Sequence, residues 1–107
     1  MAYFESDYEL ETKYMRMEFP NAKFTVSLKI KDLDKIVSCD PSIKISYRCC
    51  FQNTIYFKII NQGKYITLRD VIHSLVNSGF YIKCGHTFFE GLRKNPEDNT
   101  IEIITGS

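Results

Sequence analysis

The chain has 107 residues, enough for one hydrophobic core, and its 44% hydrophobic and 25% charged residues exclude a disordered protein. A formal net charge of +1 excludes a strong overall attraction to nucleic acid or acidic lipid. Lysine outnumbers arginine ten to four and isoleucine occurs thirteen times. This bias is typical of AT-rich genomes, so a protein of a large DNA virus or of an AT-rich microbe is expected.

The first thirteen residues are acidic and lack the basic flank and apolar centre of a signal peptide. No apolar run approaches the roughly 20 residues that a membrane-spanning helix needs. We therefore expect an intracellular protein, cytoplasmic or nuclear, that is not secreted and has no membrane partner. Residues 1–13 are predicted to form a flexible acidic N-terminal arm, and residues 14–107 a single α+β domain.

Alternation of apolar and polar residues predicts strands on both sides of one helix. The clearest strand covers 23–31, where Phe24, Val26 and Leu28 face one way and lysines face the other. Residues 32–41 are expected to form a loop in which Leu33, Ile36 and Val37 make one helical turn that closes one end of the core. Gln52-Asn53 is predicted as a hairpin turn. Further strands are predicted over 14–19, 43–51, 54–60, 80–83, 86–92 and 100–104.

The helix is predicted over residues 67–79. Thr67 is a suitable N-cap, Asp70 completes a capping box with it, and Gly79 permits the left-handed backbone that ends a helix. A helix this short needs tertiary support for its apolar stripe. The stripe has helical spacing and consists of Leu68, Val71, Ile72, Leu75 and Val76.

This order of elements predicts an α+β fold: an antiparallel sheet of about six strands with the helix packed on one face. The residues on the apolar faces of the strongest elements should be nearly fully buried. They are Leu28, Ile45, Phe57, Val71, Leu75 and Ile103.

Cysteine and histidine residues raise the possibility of a metal site at Cys49, Cys50, Cys84 and His86. Structural zinc sites use such ligands, but in pairs separated by two to four residues. Adjacent Cys49 and Cys50 would lie on opposite faces of a strand, so core packing is the favoured interpretation. We expect no metal and no other cofactor.

The sequence also contains the residue types of a catalytic site. Cys84, His86 and Glu90 could form a nucleophilic triad, yet neighbours along one strand do not contact each other closely. The chain contains no phosphate-binding loop and no recognisable catalytic motif. We expect no catalytic residues and a protein that is not an enzyme.

The strongest functional indication is a basic sheet face. If three predicted strands are neighbours, alternation places their lysines on one surface around Tyr56, where single-stranded nucleic acid could bind its phosphates and stack its bases. The alternative interpretation is that these lysines only solvate the exposed face of the sheet, as lysines do on any such face. The candidate residues are Lys29, Lys31, Lys44, Arg48, Tyr56 and Lys58.

Two adjacent phenylalanines suggest a second surface. With Phe88 directed into the core, Phe89 would lie on the other face as an exposed aromatic residue that binds a protein partner.

Three functions remain open. The favoured one is a small non-enzymatic interaction or structural protein that acts through a protein partner or self-association. The alternative is a single-stranded nucleic-acid-binding protein that uses the basic face. An enzyme or metal protein is the third.

Thiol titration under denaturing, non-reducing conditions is expected to find four free cysteines, and metal analysis no stoichiometric zinc, because the cysteines are interpreted as reduced core residues. Two titratable thiols or fewer, or one zinc per chain, would contradict this interpretation.

Overall fold

The computed structural model of the chain describes residues 14–17, 19–48, 54–82 and 88–106. The predicted N-terminal arm and the predicted turn at Gln52-Asn53 lie outside these ranges. In chain order the elements are β1 (Tyr14–Met17), β2 (Thr25–Lys29), a 3-10 helix (Ile30–Asp34), β3 (Ile36–Ser38), β4 (Ser42–Tyr47), β5 (Ile55–Ile60), β6 (Ile66–Thr67), α1 (Leu68–Asn77), β7 (Phe88–Asn95) and β8 (Thr100–Gly106).

The α+β class with one main helix is confirmed, but the sheet is mixed and not purely antiparallel. Its six strands have the order β1-β2-β7-β8-β4-β5, so the β7–β8 hairpin lies between β2 and β4. β2 pairs with β7 in parallel, and β4 pairs with β8 in parallel. Alternation shows which face of a strand is apolar but does not identify its neighbours, so the sequence did not indicate this insertion.

Both ends of α1 have the predicted chemistry. The Asp70 amide donates to Thr67 Oγ1 at 3.2 Å and the Thr67 amide donates to Asp70 Oδ2 at 2.9 Å, which completes a capping box. At the other end Gly79 has a φ of 76°. The amides of Gly79 and Phe80 donate to the carbonyls of Val76 and Leu75, the pattern of a Schellman motif.

The core combines the buried stripe of α1 with the apolar faces of the strands. Five of the six residues predicted as buried are so: Leu28, Ile45, Val71, Leu75 and Ile103. Phe57 is only partly buried because β5 is the last strand of the sheet and has no neighbour on one side among the described residues. Its ring still packs edge-on against Phe80, with centroids 5.5 Å apart.

The segment after β2 differs from its prediction. Residues 30–34 form the 3-10 helix, which ends the predicted strand early and buries Leu33. The predicted helical turn is thus present at Leu33, but it does not include Ile36 and Val37. Both of these belong to β3, which pairs with β6 in a separate two-stranded sheet. Ile36 is therefore 57% exposed and does not close one end of the core.

Within the described part of the chain, no helix has the length and apolar character required to cross a membrane.

Replacement of Leu75 by alanine is expected to lower the free energy of unfolding by about 2–5 kcal/mol, because it leaves a cavity in a close-packed core. Leu75 is 1% exposed on the buried face of α1. Denaturant unfolding followed by circular dichroism measures the effect. Asn77→Ala on the exposed face is the control, and equal losses from the two variants would contradict this position of the helix.

Candidate interaction surface

Part of the predicted basic face exists on the outer face of β4 and β5. Lys44 in β4 lies directly opposite Lys58 in β5, and Ser46 lies opposite Tyr56. Lys44 Nζ is 4.3 Å from the centroid of the Tyr56 ring, a cation–π contact. Arg48 follows β4 directly and is exposed. We call Lys44, Arg48, Tyr56 and Lys58 the basic cluster.

Lys29 and Lys31, the other two basic residues predicted for this face, lie elsewhere. The prediction of a continuous basic face across three strands is therefore wrong. Lys31 belongs to the 3-10 helix and not to a strand. Lys29 is in β2, and both β7 and β8 separate β2 from β4. At about 4.8 Å per strand, Lys29 is about 14 Å across the sheet from β4.

An acidic residue also interrupts the positive charge on this face. Glu102 in β8 lies opposite Ser46 of β4, so it points to the same side as Lys44. Its carboxylate accepts a hydrogen bond from Arg93 of β7 at 3.2 Å. The intervening strands thus present a neutralised ion pair that separates the positive charges of β4 and β5 from Lys29 on β2.

The outer face also contains a buried polar contact that the alternation did not reveal. Ser46 shares the outer side of β4 with Lys44, yet it is 3% exposed, and its hydroxyl lies 2.9 Å from that of Thr100 in β8. Thr100 donates in turn to Asp98 Oδ1 at 2.6 Å. Since buried hydroxyl groups need partners, this chain of hydrogen bonds connects β4 to the β7–β8 turn beside the basic cluster.

An open groove of about 1100 Å³ runs along the end of the sheet next to these residues. Lys44, Lys58 and Lys94 line it, and so do Asp40 and Asp98. The groove therefore carries charges of both signs, which does not favour a long stretch of phosphates.

The outer edge of β5, which we call the β5 edge, is the most apolar exposed feature of the described chain. Every residue of β5 is paired with β4 on one side, and no described strand pairs on the other. Ile55 is 37% exposed, Tyr56 47% and Ile60 64%. These are three of the six exposed large hydrophobic residues among the described ones, so exposed apolar surface is concentrated on this strand.

Sequence reasoning missed Ile60 as a surface residue, although a signal was present. Ile59 and Ile60 are adjacent, and successive strand residues point to opposite faces. Ile59 is buried, so Ile60 must point outward.

Phe89, the predicted partner-binding residue, is fully buried, so that prediction is wrong. A β-bulge between Phe89 and Gly91 inserts one residue into β7 and places Phe89 and Leu92 on the core side. Gly91, with a φ of 147°, has the backbone freedom that this bulge requires. Phe88 instead lies on the outer face, with the Arg16 guanidinium 4.5 Å from its ring centroid.

The candidate metal and catalytic residues Cys49, Cys50, Cys84 and His86 lie outside the described residues. Within the described ranges, no group of three or more His, Cys, Asp or Glu side chains is arranged to hold a metal ion. Glu90 is exposed on β7, and Cys39 is a free, exposed thiol.

No protein-family model, no curated protein and no solved structure matches this chain. Any function must therefore be argued from its own surface.

Proposed function

We propose that the chain is a non-enzymatic interaction protein and that it binds a protein partner through the β5 edge. One observation carries this proposal: β5 lacks a neighbour on its outer side among the described residues, yet exposes Ile55, Tyr56 and Ile60. Edge strands of this kind are templates for pairing with another chain.

The backbone of β5 supplies the means of binding. In an antiparallel pair, hydrogen-bonding groups point alternately towards and away from the neighbouring strand. Along the six residues of β5, half of these groups therefore point away from β4. An extended segment of a partner can bind them by strand addition, and its apolar side chains can contact Ile55 and Ile60.

Lys58 is the one feature of the β5 edge that opposes pairing, because edge lysines discourage strand association. It is a single charge between exposed apolar residues, and its side chain points to the same outer side as Tyr56. Lys58 therefore favours or disfavours a partner according to the side chain that the partner places opposite it. The backbone hydrogen-bonding groups of the β5 edge stay accessible.

The proposal predicts position-specific crosslinking. A benzoylphenylalanine photocrosslinker at position 60 should form a protein adduct when the purified chain is added to an extract of its native source, because that side chain borders the β5 edge. Position 36 is the control, since Ile36 is 57% exposed and Ile60 64%. Labelled species are separated by electrophoresis and identified by mass spectrometry. Absence of adducts at position 60, or equal labelling at both positions, would contradict the proposal.

A second candidate function, single-stranded nucleic-acid binding, rests on the basic cluster. Lys44 and Lys58 lie side by side, and Tyr56, 47% exposed, offers a ring face for stacking. The cluster covers two strands instead of three, and Lys44 already occupies one face of the ring at 4.3 Å. These features support a short contact in which the basic cluster binds few phosphates of a single strand.

If this second function is correct, Lys44→Glu with Arg48→Glu should abolish oligonucleotide binding while thermal stability changes little, because exposed charges contribute little to folding. Fluorescence anisotropy with a labelled single strand measures binding, and wild-type affinity should fall steeply with salt. The control, Lys31→Glu with Lys64→Glu, makes the same charge change at exposed positions outside the cluster. Undetectable wild-type binding at low salt would exclude this function.

A further inference from the structure

The residues of β5 are arranged almost symmetrically about Phe57. Ile55 and Ile59 lie two positions away on each side, and Tyr56 and Lys58 lie next to it. Ile55, Phe57 and Ile59 face the core side of the sheet, while Tyr56 and Lys58 face outward. The inward residues are therefore the same in both directions along the strand, whereas the two outward positions beside Phe57 carry an aromatic ring on one side and a cation on the other.

From this symmetry, and resting on the proposed function of the β5 edge, we propose that the partner is a second copy of this chain. The two β5 strands pair antiparallel about a two-fold axis at Phe57, perpendicular to the sheet. Residues directly opposite each other in an antiparallel pair point to the same face, so an axis on a residue keeps the two apolar faces on one side. The two sheets then form one continuous sheet.

This register makes the cross-strand pairs between positions 55 and 59 complementary, and it places Ile60 opposite the partner's Thr54. Ile55 lies opposite the partner's Ile59, and Phe57 lies opposite the partner's Phe57 on the same apolar face. On the outer face, Tyr56 lies opposite the partner's Lys58, and Lys58 opposite the partner's Tyr56. Pairs of β-branched residues, of aromatic rings and of an aromatic ring with a cation are all favourable in antiparallel sheets.

The charges also disfavour the register whose axis lies one residue towards the end of β5. An axis one residue further along, at Lys58, would place the two Lys58 ammonium groups directly opposite each other, and like charges there are unfavourable. Lys44, opposite Lys58 within each copy, would add two more positive charges beside them. The register centred on Phe57 instead provides each Lys58 with the exposed ring of the partner's Tyr56.

Pairing also covers apolar surface that is open in the single chain. Phe57 is only partly buried and Ile55 is 37% exposed, both on the core side of the terminal strand. A neighbouring strand about 4.8 Å away would cover both side chains. An interface of one six-residue strand per copy is small, so the association is weak and depends on concentration.

Sedimentation velocity of the full chain, from about 1 μM to about 1 mM, tests the proposal. As the concentration increases, the average mass of the wild-type protein should rise from that of one chain towards that of two chains. Tyr56→Lys should raise the dissociation constant about tenfold or more, because the introduced ammonium group then opposes the partner's Lys58. Tyr56→Glu, which removes the same ring, should associate more tightly than Tyr56→Lys. Tyr65→Lys, also at a tyrosine with 47% exposure, should leave association unchanged.

The double variant Tyr56→Lys with Lys58→Glu distinguishes the registers. In the register centred on Phe57, each introduced lysine lies opposite an introduced glutamate of the other copy, so association is restored. In the register centred on Lys58, the two introduced glutamates lie opposite each other, and association is not restored. Circular dichroism confirms that each variant is folded, and the comparison of Tyr56→Glu with Tyr56→Lys remains decisive if one of them is less stable.

Several outcomes would overturn the second-copy proposal. One is a single-chain mass at every concentration, and another is a dimer that Tyr56→Lys and Tyr65→Lys affect equally. If the chain is monomeric but position 60 still crosslinks to a different protein, strand addition stands and only the second copy is excluded. If position 60 forms no adduct and the chain is monomeric, both proposals fail.

Discussion

The packing of Phe80 against three other aromatic rings connects the parts of this fold that are not neighbours in the sheet. Its ring centroid lies 5.4 Å from that of Phe24, 5.0 Å from Tyr47 and 5.5 Å from Phe57, all in edge-to-face geometry. These partners come from the segment before β2, from β4 and from β5. Phe80 reaches them because the Schellman motif at Gly79 turns the chain sharply after α1. The helix end thus places one side chain where it stabilises both halves of the sheet.

The insertion of β7 and β8 between β2 and β4 determines which surfaces can act together. It separates Lys29 from the basic cluster and introduces the Arg93–Glu102 ion pair between them. At the end of the sheet, β5 pairs with β4 on one side, and no described strand pairs with its other side. The strand order therefore reduces the basic face to two strands and leaves the apolar β5 edge next to it. This is why we place protein contact ahead of nucleic-acid binding.

The β5 edge combines features that proteins usually avoid. A six-residue strand whose outer side pairs with no described strand, and which exposes Ile55, Tyr56 and Ile60, invites association, and only Lys58 protects it. The near-symmetry of the strand about Phe57 gives this lysine a defined role in the proposed dimer. It opposes an exposed tyrosine in one register and another lysine in the next, so it selects one arrangement instead of blocking all of them.

Local chemistry in the sequence was sufficient for the helix and for most of the core. Thr67, Asp70 and Gly79 determine where α1 begins and ends through hydrogen bonds within a few residues, and the stripe containing Val71 and Leu75 determines its buried face. The alternation of apolar and polar residues was sufficient to predict which side chains of β2 and β4 point inward. It failed at Phe89, where one bulge residue shifts the pattern of β7. Strand order, and with it the confinement of the basic cluster and the exposure of the β5 edge, was decided only by the tertiary structure. The reason is that a strand's side-chain pattern reports which face is buried, whereas its neighbours depend on contacts between residues far apart in the chain.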